Sequence, residues 1–204
     1  MRNLAVLPIA ALMALVIAAP VAAAANVTNQ SGSAKVISGE WYGDESYGYA
    51  SFANDSTYGS YGEFYEESGA WVACDGVEEK YGFVGTRTNG WASDLEVVVD
   101  SKLDNGSASG QMELYTETVD ECLGIYGEGV ESSTSFSASL DGAGSAVRFR
   151  NSGSYKLPGE FNSHSKQSGK ERQAIGSIVL SDAGTREFDS AVLATISWTD
   201  HSNN

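Results

Sequence analysis

The chain has 204 residues and a formal net charge of −15, with 27 Asp and Glu against 12 Lys and Arg. A surface of that sign repels phosphate, so nucleic acid is not an expected partner. The acids are unevenly placed: residues 26–145 carry 21 acids against 4 bases, whereas residues 146–204 carry 6 against 7.

In chain order, the first element is MRNLAVLPIAALMALVIAAPVAAAAN: one basic residue, an apolar run, then the small-residue exit Ala23-Ala24-Ala25. That order reads as a secretory signal peptide over residues 1–25. Its apolar part is shorter than the roughly 20 residues a membrane-spanning helix needs. The mature chain, 26–204, suffices for one domain that buries roughly 70% of its unfolded surface. The expectation is a secreted, extracellular protein with no membrane contact after cleavage. Residues 26–39 are small and polar and read as a flexible arm.

The next segment holds six of the ten tyrosines, between residues 42 and 65. In YGYASFA, Tyr47 and Tyr49 alternate with Ala50 and Phe52; in YGEFYEE, Tyr61, Glu63, Tyr65 and Glu67 alternate with Phe64. If residues 54–60 turn the chain so that Ala53 faces Tyr61, Tyr49 falls opposite Tyr65 and Tyr47 opposite Glu67. A Tyr/Glu platform then forms outside and a Phe/Ala face inside. Tyrosine joins a flat apolar ring to a hydroxyl, so such rows suit sugars or a protein partner. They also suit any pleated, half-buried sheet.

Strands are expected over 47–53, 61–67, 70–74, 80–88, 91–100, 108–119, 133–140, 145–151, 173–180 and 190–198. Asp75-Gly76, Asn89-Gly90, Asn105-Gly106 and Asp141-Gly142 are hairpin-type dipeptides. A two-residue turn at Asn89-Gly90 would set Val84 against Leu95. Residues 151–173 lack alternation and read as a long loop. Residues 186–198 fit both periods and are read as strand. The fold class is all-β, an antiparallel β-sandwich or jelly roll of about ten short strands. Cys74 and Cys122, the only cysteines, are expected to form a disulfide in an exported chain.

Catalytic signatures are sparse: there is no G-x-S-x-G, no H-E-x-x-H and no P-loop. Metal ligation is not expected, because there is no C-x-x-C, and DGVEE (75–79) and VDE (119–121) lack EF-hand spacing. No cofactor is implied. Glu63 and Glu67 share a face but stand roughly 13 Å apart along one strand, too far for a glycosidase pair. His164 and His201 lack a partner motif and read as surface residues. Arg148, Arg150, Lys156, Lys166, Lys170 and Arg172 form a basic cluster that balances the acidic face or binds an anionic polymer or a second copy. The sequence thus points to a non-catalytic binding or interaction protein for extracellular polysaccharide or protein, with candidate ligand contacts at Tyr47, Tyr49, Tyr61, Tyr65, Glu63 and Glu67. The alternatives are a carbohydrate-active hydrolase using two carboxylates in a groove, and a surface-structural or defensive protein.

Overall fold

The computed structural model describes residues 28–75, 80–157 and 161–203; the expected signal peptide at 1–25 lies outside them. Every element among the described residues is a strand: β1 Thr28–Tyr42, β2 Ser46–Asp55, β3 Gly59–Ala73, β4 Tyr81–Ser93, β5 Glu96–Val99, β6 Asn105–Asp120, β7 Ile125–Tyr126, β8 Val130–Gly142, β9 Val147–Leu157, β10 Phe161–Leu180, β11 Gly184–Glu187 and β12 Ser190–Asn203. All pairings are antiparallel. The chain is all-β, as its alternation requires.

The long strands run side by side in the order β10-β12-β1-β2-β3-β4-β6, and β8 pairs with both β6 and β10. The sheet therefore closes on itself, with β12 and then β11 along one edge of β10 and β9 and then β8 along the other. Its opposite walls meet face to face: the Phe52 ring of β2 stacks on Phe136 of β8 with centroids 4.6 Å apart. Strand β5 pairs with the start of β6 and touches β1, β2 and β12, so it adds Val97 and Val99, with the preceding Leu95, to the interior. The sandwich expectation is met by a sheet wrapped until its two inner faces pack together.

The interior follows from period-two alternation. Ile37, Phe52, Met112, Leu140, Ile178 and Leu193 are fully buried while their chain neighbours on the long strands face outward or are small. Burying one such side chain contributes roughly 1.5–3 kcal/mol. Polar latches tie elements distant in sequence. Arg186 of β11 forks onto both carboxylate oxygens of Glu66 on β3, at 2.6 and 3.1 Å. Arg172 of β10 binds the Asp104 carboxylate and the Leu103 carbonyl in the β5–β6 turn. The Cys74–Cys122 disulfide, with Cα atoms 5.1 Å apart, joins the segments that follow β3 and β6.

Four local expectations change. Asn89-Gly90 is not a turn but lies within β4. Gly90 is needed for close approach: a Cβ there would stand 2.8 Å from both Leu114 and Met112 side-chain atoms. Val84 consequently pairs with Ala70 and Asp120, not with Leu95. The chain turns instead after β4, where Asp94 takes φ 56°. Asn105-Gly106 opens β6, and the turn precedes it at 100–104, where the Asp100 carboxylate accepts the Lys102 and Asn105 N–H groups. The arm expected at 26–39 is strand from Thr28 onward, because Ile37 enters the core and Val36 a small outer cluster with Ala53 and Ala194. The loop expected at 151–173 is largely the β9–β10 pair, whose rungs are polar on both faces and so hide the usual strand signal. Residues 190–203 are strand, not helix.

Candidate ligand-binding wall

The turn between β2 and β3 sets the register of the tyrosines. Asp55 accepts the N–H groups of Thr57 and Tyr58, and Gly59 takes φ 83°, so the chain reverses within a few residues. Ala53 then pairs with Tyr61, Tyr49 with Tyr65, and Tyr47 with Glu67. Ala50, Phe52 and Phe64 are buried, whereas Tyr47, Tyr49 and Tyr65 are half-buried on the outside. Gly48, between the two tyrosines, faces inward and leaves room for the Trp41 indole, which a Cβ would meet at 2.1 Å.

From that register the outer wall can be built rung by rung across six neighbouring strands. One rung runs Glu40, Tyr49, Tyr65, Asn89, Tyr115 and, on β8, Glu131. The next toward the disulfide runs Tyr42, Tyr47, Glu67, Arg87 and Glu117. The rung on the other side holds Ser51, Glu63, Trp91 and Glu113. Tyr49 and Tyr65 stack with centroids 5.6 Å apart, and Tyr42 meets Tyr47 at 5.3 Å. Tyr42 and Trp91 are 59% and 49% exposed, so the wall offers ring surface as well as edges.

Carboxylates fix several of these rings. The Tyr42 hydroxyl donates to Glu40 at 2.7 Å, the Trp91 Nε1–H to Glu113 at 3.0 Å, and the Tyr65 hydroxyl to Glu67. Glu67 also accepts from Arg87 Nη2 at 2.7 Å, and Arg87 reaches Glu121 at 3.2 Å. Hydrogen bonding to Glu40 pushes the Tyr42 phenol up to about 12, and burial with the Glu67 bond does the same for Tyr65. Burial raises Tyr47, Tyr49 and Tyr61 as well. The rings therefore stay neutral, hydroxyl-donating groups throughout the physiological range.

Alkaline titration followed by phenolate absorbance should accordingly show Tyr42 and Tyr65 ionising near 12, above the ordinary 10.0. A phenol whose folded pKa exceeds its unfolded value stabilises the fold fully below the unfolded pKa and loses that contribution as pH rises through the folded one. Stability should fall between about pH 10 and about pH 12. Ionisation of every tyrosine in the folded protein at the ordinary value would contradict the geometry.

The six residues singled out from the sequence separate into three roles. Tyr47, Tyr49 and Tyr65 form the centre of the wall, and Glu63 stands exposed beside Trp91. Glu67 is an internal brace, occupied by Tyr65 and Arg87. Tyr61 packs against the outer cluster of Val36 and Ala53 instead of joining the stacked rings. Tyr42, Glu40, Trp91, Arg87, Tyr115 and Glu113 were not singled out. The odd-numbered alternation Arg87, Asn89, Trp91 carried the signal but was masked by reading Asn89-Gly90 as a turn.

Other candidate chemistries gain little from the geometry. Glu121 accepts the Phe83 N–H and the Arg87 guanidinium, which hold its carboxyl below the ordinary value, and Asp120 accepts the Leu123 N–H. Among the described residues no three His, Cys, Asp or Glu side chains converge as a metal site. His164 and His201 are register partners on β10 and β12, and His201 contacts Asn29. No helix among the described residues is long and apolar enough to cross a membrane. The chain matches no protein-family model, no curated protein and no solved structure, so its chemistry has to be read from the aromatic and acidic wall itself.

Proposed function

We propose that the protein is a secreted, non-catalytic binding protein that holds an extracellular polysaccharide against the Tyr/Glu wall. The stacked Tyr49–Tyr65 pair, set among Tyr42, Tyr47 and Trp91 on one outer face, is the observation that carries the reading. Sugar rings present C–H faces to aromatic rings and hydroxyls to carboxylates, and this wall supplies both at the spacing of a β-sheet, about 4.8 Å between strands. Its acidity favours an uncharged or basic ligand over a polyanion. The disulfide is compatible with an oxidising, extracellular setting. A protein partner would use the same rings as anchors.

The hydrolase reading needs two carboxyls flanking a bond within a cleft. Glu63 and Glu113 lie two strands apart on their rung, about 10 Å by sheet spacing, yet they stand on an open outer wall.

A panel of uncharged polysaccharides read for both retention and reducing-sugar release tests the proposal. Tyr49→Ala/Tyr65→Ala should weaken retention about tenfold or more, the effect of removing two central aromatic anchors. Unchanged retention in the double variant would remove the wall from binding, and sugar release by the wild type would make the protein an enzyme.

A further inference from the structure

Beyond the stretch paired with β8, β1, β12, β10 and β9 continue side by side as one sheet, and one of its faces continues the barrel's inner face. Lys35 lies two residues from Ile37 on β1, and Thr195 two from Leu193 on β12, so each shares the face of a core residue. Successive register partners set Arg148, Lys170, Thr195 and Lys35 in one rung, with Arg150, Ser168, Ser197 and Ser33 in the next. Together they line a groove of about 880 Å³. Among the described residues no carboxylate lines it.

The cations in this groove differ from the other arginines described. Arg87, Arg172 and Arg186 each pair with a carboxylate, whereas Lys35, Arg148, Arg150 and Lys170 have no acidic partner within 4.0 Å among the described residues. Glu171 does not neutralise them, because it lies between Lys170 and Arg172 in a strand and so faces the opposite side, across from Ala194. Charges on β9 alone could be explained as protection of an open edge. Lys35 is three strands in from that edge, and edge protection gives no reason for it.

We propose that this groove binds an extended anionic polysaccharide, one bearing carboxylate or sulfate groups along its length. The four cations spread over about 7 Å along a strand and 14 Å across strands, wider than a single phosphate or sulfate. Arginine forks suit carboxylate and sulfate oxygens, and serine and threonine hydroxyls on the same rungs suit sugar hydroxyls. On β1 the groove takes the face that holds Lys35 and the tyrosine wall the other, at Glu40 and Tyr42, so one molecule has two faces of opposite charge.

Affinity chromatography of the full protein on immobilised polygalacturonate, dextran sulfate and uncharged dextran tests this, with the salt concentration varied. The expected result is retention on the two anionic polymers that weakens with salt, and none on dextran through this groove. Lys35→Gln/Arg148→Gln/Arg150→Gln/Lys170→Gln should reduce that retention about tenfold or more, while Tyr49→Ala/Tyr65→Ala leaves it unchanged. Lys35→Glu alone, at an exposed position, should weaken it in the same direction should the fourfold variant fold poorly. Equal retention of wild type and Lys35→Glu would overturn the proposal, as would absence of retention on both anionic polymers. Concentration-dependent self-association lost in the groove variants, without polymer retention, would instead assign the groove to the acidic wall of a second copy and also overturn it.

Discussion

Phe52→Ala should destabilise the protein by about 3–5 kcal/mol, the range for a large aromatic removed from a filled core. Phe52 is 1% exposed and stacks on Phe136 across the interior, so its ring is the direct contact between the two walls. Gly62 on β3 is shaped to it: a Cβ there would come within 2.4 Å of the Phe52 ring. The surrounding strands are held on both edges by their neighbours and cannot collapse freely into the space, so the cavity term should be nearly complete. Phe52→Leu keeps most of the volume and should cost under about 1.5 kcal/mol. Urea denaturation of the three proteins measures both differences; a loss below about 1 kcal/mol for the alanine variant would mean that the walls do not meet at this residue.

Removing the disulfide should have the second large effect. Cys74 and Cys122 are separated by 48 positions, and closing a loop of that size restricts the unfolded chain by about 4 kcal/mol in the chain-entropy estimate. The bridge fastens the segment after β3 to the segment after β6, on either side of β4, and Gly82 of β4 lies beneath both sulfurs at 3.1 and 3.2 Å from where a Cβ would stand. The paired Cys74→Ala/Cys122→Ala variant should therefore show a lower denaturation midpoint, and reductant should lower the midpoint of the wild type but not of the variant. Free thiols titrating in the unreduced, folded protein would contradict the bridge. The tyrosine stack should survive its loss in the folded state, because the β2–β3 pairing is fixed by the Asp55 turn and by Phe52 and Phe64 in the core.

Sequence legibility followed the strength of alternation. In β2 and β3 the apolar residues Ala50, Phe52 and Phe64 fall on one face and Tyr47, Tyr49, Tyr65 and Glu67 on the other, so a single assumption about the turn yielded the observed register. The inner set of β8 was equally plain, with Phe136, Ala138 and Leu140 alternating with polar neighbours. Gly90 misled because glycine serves both turns and close packing, and only the neighbouring strands show that Leu114 and Met112 occupy its side-chain space. That one misreading split β4 between the strands expected over 80–88 and 91–100, and so hid the Arg87, Trp91 and Tyr115 rungs. The basic groove was legible only as a cluster in sequence. Lys35 joins it from the other end of the chain through β12, a pairing that composition and spacing do not encode.

The most direct measurement of the architecture on which both faces depend is a nuclear Overhauser spectrum of the oxidised, folded protein, read at four rings. Cross-peaks should join Tyr49 to Tyr65 on the outside and Phe52 to Phe136 on the inside, with none between Tyr49 and Phe136. Cross-peaks from the Tyr49 ring to Phe136, as a slip of β2 by one residue would produce, would turn the tyrosines into the core and leave no wall to bind a ligand.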